Sequence, residues 1–103
     1  MPAFHLHITT PEGNNWDGDV VSISAQGTEG AFGIMANHAP MIAALKPGVL
    51  TVRGEDETRY YAVGGGVLEV RVDKWVVILA DYADFFDTVE EAKLKAKEHR
   101  RQL

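Results

Sequence analysis

The chain has 103 residues and no cysteine. That excludes a disulfide framework, thiol catalysis and cysteine-ligated zinc. Long apolar runs are also missing. The longest, Trp75 to Ala80, is far short of the roughly 20 residues that a helix needs to cross a bilayer. Basic charge is scarce, with 10 Lys+Arg against 15 Asp+Glu and a net charge of −5. The deficit lies in residues 1–87, which carry 5 basic and 12 acidic side chains, whereas residues 88–103 carry 5 and 3. An acidic body argues against nucleic acid, whose binding rests on basic contacts to phosphate. The short basic tail reads as a solvated helix face. No internal repeat or low-complexity tract is present. Met1-Pro2-Ala3-Phe4-His5 lacks the basic and apolar stretches of a signal or transit peptide, so none is read there.

What remains is an ordinary globular composition, 46% hydrophobic and 24% charged. Its dominant pattern has period two. Phe4, Leu6 and Ile8 point one way, and His5, His7 and Thr9 the other. Pro11-Glu12-Gly13-Asn14 turns the chain. Val21, Ile23 and Ala25 form the next row, then Met41, Ala43 and Leu45, then Leu50 and Val52. Gly54-Glu55-Asp56-Glu57 reads as a hairpin loop, and Thr58 to Val63 puts Tyr60 and Tyr61 on opposite faces. Leu68, Val70 and Val72 alternate with Glu69 and Arg71. Trp75 to Ala80 is apolar on both faces, which predicts a central strand buried on both sides. Short strands with a turn signal every eight to twelve residues predict a β-sandwich or barrel, residues 1–86. The period changes at Asp87. Thr88-Val89-Glu90-Glu91 is a capping box, and residues 87–103 form one short helix. Its predicted inward stripe is Val89, Ala92, Ala96, His99 and Leu103.

No catalytic constellation stands out. His5-x-His7 could begin a metal site, but no third ligand is evident nearby in sequence; His38 or an Asp would have to approach in space, and no metal is expected. Gly64-Gly65-Gly66 is followed by a strand pattern rather than a helix, which suits close strand approach better than phosphate binding. Asp81, Asp84 and Asp87 lack the glycine and the ligand spacing of a calcium loop. His38 has no nucleophile or carboxylate at a telling spacing. Phe85-Phe86 is read as folding a linker onto the sandwich. The most distinctive stretch is Glu29 to Gly48. It combines Gly30-Ala31-Phe32-Gly33, read as a tight turn, with the polar loop Asn37-His38-Ala39-Pro40 and an apolar run ending at Lys46-Pro47-Gly48.

That stretch resembles the signature segment of the epsilon subunits of F-type ATP synthases (delta in mitochondria). Val63 to Val70 resembles the family's S/G-G-G-x-L-E-V block, and Val76 to Asp81 its V-T-V-L-A-D block. With Phe4-His5-Leu6, the likeness extends over almost all of residues 3 to 99. It implies a mainly β fold: a ten-stranded β-sandwich followed by one short C-terminal α-helix, in a short form without the family's second helix. It implies a non-catalytic central-stalk subunit, with no cofactor, that links the gamma subunit to the membrane c-ring and inhibits hydrolysis little. Gamma contacts are expected at Asn37, His38, Ala39, Pro40, Met41 and Ile42, with Met41 and Ile42 exposed. Ring contacts are expected at a hairpin tip of Glu29, Gly30, Ala31 and Phe32, where Ala31 replaces the family's usual acid. The implied location is the cytoplasmic face of a bacterial inner membrane or its organellar equivalent. Membrane contact would run only through the ring, and the isolated chain would be monomeric. Some members bind ATP through I/L-D-x-x-R-A. Here Glu90, Lys93 and Leu94 replace the aspartate, arginine and alanine, and lysine lacks the bidentate fork of arginine, so no nucleotide site is expected. The rival reading is a free-standing sandwich that binds a small ligand in a cleft lined by His5, His7 and the tyrosines. A third is a hydrolase using His38.

Overall fold

The computed structural model describes residues 2–13 and 15–102, the side chains of 99–102 excepted. Ten strands precede one helix: β1 Phe4–Thr9, β2 Trp16–Val20, β3 Ser22–Gly27, β4 Gly30–Met35, β5 Met41–Leu45, β6 Gly48–Arg53, β7 Thr58–Val63, β8 Gly66–Val70, β9 Val76–Ala80, β10 Ala83–Phe86 and α1 Val89–Gln102. The expected ten strands are therefore present. They form one hydrogen-bonded path, β10-β7-β6-β3-β5-β8-β9-β1-β2, with β4 paired to β3. The sheet curls on itself into two layers. All pairings are antiparallel except β1 with β9.

Alternation explains the curl. Leu6, Ile8, Ile23, Ile34, Leu50, Leu68 and Ile78 all point inward and are essentially inaccessible to water. Burying each such side chain is worth about 1.5–3 kcal/mol. The two ends of the path meet through side chains. Trp16 of β2 lies against Tyr61 of β7, with ring centroids 6.4 Å apart. The Arg59 guanidinium sits 5.2 Å from the ring centroids of both Trp16 and Phe85. This seam covers sheet edges that would otherwise be open to pairing with another chain.

The glycine run behaves as read. Gly64 donates its amide to the Tyr82 carbonyl (3.0 Å), and Gly65 accepts from the amide of Asp81 (3.0 Å). A Cβ on Gly66 would collide with the carbonyl oxygen of Leu79.

Three regions depart from the pattern. Gly30 to Gly33 is no turn: it is the first part of β4, paired residue by residue with β3. The reversal is the Thr28–Glu29 pair, and Gly30 follows it at φ 131°. Phe85 and Phe86 belong to a tenth strand, opposite Tyr61 and Tyr60, rather than to a linker. β9 is central, between β8 and β1, but only one of its faces is buried. Val76, Ile78 and Ala80 are inside, whereas Leu79 is 55% exposed.

The helix lies on β6, β7 and β10. Ala92 and Ala96 are buried in that contact and Val89 is half-buried, as its stripe predicts. His99 and Leu103 lie outside the described side chains, and Asn14 outside the described residues. The cap is half of a box. The Glu91 amide donates to Thr88 Oγ1 (3.3 Å), but the Glu91 carboxylate accepts from the Thr88 hydroxyl (3.0 Å) instead of from its amide.

Candidate functional site

A two-layer domain can bury only one face of each layer. On the β5–β8–β9 layer the second face is nonetheless apolar. Register aligns Ala44 of β5 with Val67 of β8 and Leu79 of β9 in one row. The neighbouring row is Ile42, Glu69 and Val77. All alternate with the buried set Leu45, Leu68, Val70 and Ile78, so all point outward. Ile42 is 72% exposed and Val67 40%. Isolated exposed hydrophobics are ordinary, but a contiguous set on rigid strands marks an interaction surface. β-branched and leucine side chains suit strands either way. Their presence on a solvent face is what needs a second reason.

Beside this face lies the loop 36–40. Asn37 adopts φ 67°, and Lys74 Nζ donates to its Oδ1 (3.3 Å). His38 is exposed, and its Nδ1 donates to the Ala39 carbonyl at 2.7 Å. Among the described residues no carboxylate or nucleophile engages that ring, which removes the support for a hydrolase. Asn37, His38, Ala39 and Pro40 are exposed. Met41 is not the exposed residue expected. It sits opposite Val70 and packs half-buried against the core, so of the Met41–Ile42 pair only Ile42 faces out.

The second expected cluster is also divided. Glu29 is at the tip of the β3–β4 hairpin, Gly30 opens the strand, and Ala31 lies exposed one residue further. Phe32 turns inward against the core. This tip is beside the β5–β6 turn, because the Thr28 amide donates to the Ala44 carbonyl and the Lys46 amide to that of Gln26, both at 3.0 Å.

β1 and β2 continue the apolar face sideways. Val77 pairs with His7, which pairs with Asp17, and His5 pairs with Asp19. His5 Nε2 is 3.0 Å from Asp17 Oδ1, and His5 Nδ1 is 3.1 Å from Asp19 Oδ1. His7 Nδ1 reaches the same Asp17 oxygen at 3.1 Å. The Trp75 ring lies tilted against His5, with centroids 4.0 Å apart and planes inclined at 44°. The hydrogen bond to Asp17 is the main cause that raises His5 above the ordinary histidine value, against the lowering by burial. The same bond, then that from His7, holds Asp17 below the ordinary carboxylate value. At these distances the side chains hydrogen-bond to one another, and no three of them converge on a coordination point among the described residues.

Residues 3–85 match the family described as ATP synthase, Delta/Epsilon chain, beta-sandwich domain. The chain belongs to that family. It is 38% identical to ATP synthase epsilon chain 1 of Nitrobacter hamburgensis over 95% of its own length and 80% of that protein's. Against the epsilon chain of Rhodopseudomonas palustris strain TIE-1 it is 41% identical, over 81% of this chain and 61% of the relative. Among solved structures it resembles a chain of the Euglena gracilis mitochondrial ATP synthase (OSCP/F1/c-ring), with TM-score 0.75 and 28% identity. That likeness covers 99% of this chain and 66% of the other. A Tetrahymena thermophila central stalk and c-ring structure shares the fold, with TM-score 0.64 at 21% identity.

In this epsilon-family sandwich, His5, His7 and Tyr61 do not line one cleft among the described residues. His5 and His7 face outward toward Asp17, while Tyr61 is buried between Trp16 and Phe85. The small-ligand reading loses its lining residues. The sequence did not single out Ala44, Val67, Val77 and Leu79. The available signal was the both-faces-apolar segment Trp75 to Ala80, which admits two explanations.

Proposed function

We propose that this chain is a non-catalytic subunit of the ATP synthase central stalk, held to the gamma subunit by the outward face of β5, β8 and β9. The observation that carries this reading is the exposed apolar row Ala44, Val67 and Leu79, with Ile42 and Val77 beside it, on a rigid face of an epsilon-family sandwich. The loop Asn37 to Pro40 borders that face and supplies polar contacts at its rim. The β3–β4 tip, Glu29 with Gly30 and Ala31, meets the polar loops of the c-ring. Phe32 supports the tip from inside rather than touching the ring. No helix among the described residues is long and apolar enough to cross a membrane, so on this reading membrane contact runs through the ring.

The mechanism is mechanical. Torque passes between ring and stalk only if the linking body does not deform, and a close-packed core resists deformation. The apolar face supplies non-directional adhesion, and the polar rim fixes orientation. The test is calorimetric titration of the chain into the gamma subunit of its own synthase, paired with cysteine cross-linking from position 29 to c-subunit loops in the assembled enzyme. Tight binding and a cross-link at 29 are the expected results. Absence of gamma binding by the folded chain overturns the docking assignment.

A further inference from the structure

The docking face does not stop at β9. Its rows run on through His7 to Asp17 and, one pair further along, from His5 to Asp19. The charged groups around His5 can be placed element by element. β2 presents Asp17 and Asp19. β9 presents only Val77 and Leu79, with Trp75 just before it. β8 presents Glu69, and beyond it Arg71 is ion-paired with Asp73 at 3.1 Å. Lys74 is turned to Asn37. Among the described residues, the carboxylates of this edge therefore meet no cationic side chain except the histidines.

Both nitrogens of His5 face carboxylate oxygens, at 3.0 and 3.1 Å. Only the imidazolium has two N–H groups to donate. A neutral ring leaves one lone pair against a carboxylate, and the repulsion releases one aspartate. The contacts are exposed, so a cation brought by a partner can take its place.

We propose that this edge is a proton-sensitive rim of the docking face: basic side chains of the partner compete with the proton on His5 for Asp17 and Asp19. The inference rests on the docking reading above and adds the chemistry of the partner segment that crosses β1 and β2. That segment carries lysine or arginine, and its hold tightens as His5 loses its proton. Exposed pairs are weak, so the effect is modest and fades with salt.

The experiment is calorimetry of the full chain with the gamma subunit at pH 5.5, 6.5, 7.5 and 8.5, in low salt. The comparison is with Asp17→Asn/Asp19→Asn and with His5→Gln, so that titration within gamma cancels between proteins. Wild type is expected to gain about three- to tenfold in affinity across that range relative to the double asparagine variant. His5→Gln is expected to lose that relative gain, its affinity ratio to the double asparagine variant staying constant across the range. Binding with the same pH profile in all three proteins overturns the rim and leaves the docking face standing. A reversed trend also overturns it. No binding by any of them at any pH removes the docking reading and the rim together.

Discussion

The sharpest test of the docking face contrasts two neighbours on one strand. Leu79 and Ile78 differ by one position in β9 and point to opposite sides. Leu79 is 55% exposed, and Ile78 is fully buried. Burying a whole leucine or isoleucine side chain is worth about 1.5–3 kcal/mol. A partner that covers Leu79 completely gains the half still exposed, roughly 1–1.5 kcal/mol. Leu79→Ser should therefore weaken gamma binding about five- to tenfold, since about 1.4 kcal/mol corresponds to a factor of ten. It also removes the already buried half, so stability should fall by about 1 kcal/mol, and the protein stays folded. Ile78→Ala leaves a cavity between the layers and should cost about 2–5 kcal/mol of stability. Its folded fraction should bind gamma normally. The assays are chemical denaturation for stability and calorimetry for affinity, on the same preparations. If Leu79→Ser binds like wild type, or if Ile78→Ala loses affinity while still folded, outward and inward positions have not been separated and the face is wrongly assigned.

Other consequences follow from single contacts. Gly66→Ala drives a methyl group into the Leu79 carbonyl; the β8–β9 pairing must shift, and denaturation should show a loss of about 3 kcal/mol or more. Thr88→Ala removes the acceptor for the Glu91 amide; about 1 kcal/mol of helix stability should go, seen as faster amide exchange in α1 with the sandwich unchanged. A cysteine at Glu29 should cross-link to the c-ring loops, whereas one at Phe32, which packs inward, should not. The His5–Asp17 contact has a definite pH window. The raised His5 value means its contribution is full below the ordinary histidine range and is lost as pH rises through the raised value. The lowered Asp17 value means a contribution present above the ordinary carboxylate range and lost as pH falls through the lowered value. A thermal melt series should show this increment in mildly acidic solution, and His5→Gln should flatten it.

How much of this was legible depends on what each residue's neighbours could reveal. The rows Phe4-Leu6-Ile8 and Leu50-Val52 announce strands because one face is apolar and the other polar, and both are strands. β2 was missed because Asp17-Gly18-Asp19 carries no apolar row, and its place is fixed by pairing with β1. β4 was misread because two glycines three apart mimic a turn, although Gly33 is an ordinary paired residue opposite Ser24. The His–Asp rim was invisible for a related reason. His5 and Asp19 are 14 residues apart, and only strand register makes them neighbours. The resemblance to the epsilon family supplied the partner and the loop, but not which side chains face outward, because alternation puts Met41 inside and Ile42 outside. The both-faces-apolar segment Trp75 to Ala80 is the most instructive. Such a strand is buried on both sides only if something lies on both sides. In an α/β protein that is a layer of helices. Here α1 lies on β6, β7 and β10 rather than on β9, and no other layer covers that face among the described residues. On the docking reading, the partner covers the outward half of β9, with Val67 and Ala44 beside it, and the hydrophobic pattern that builds the core then serves the assembly as well.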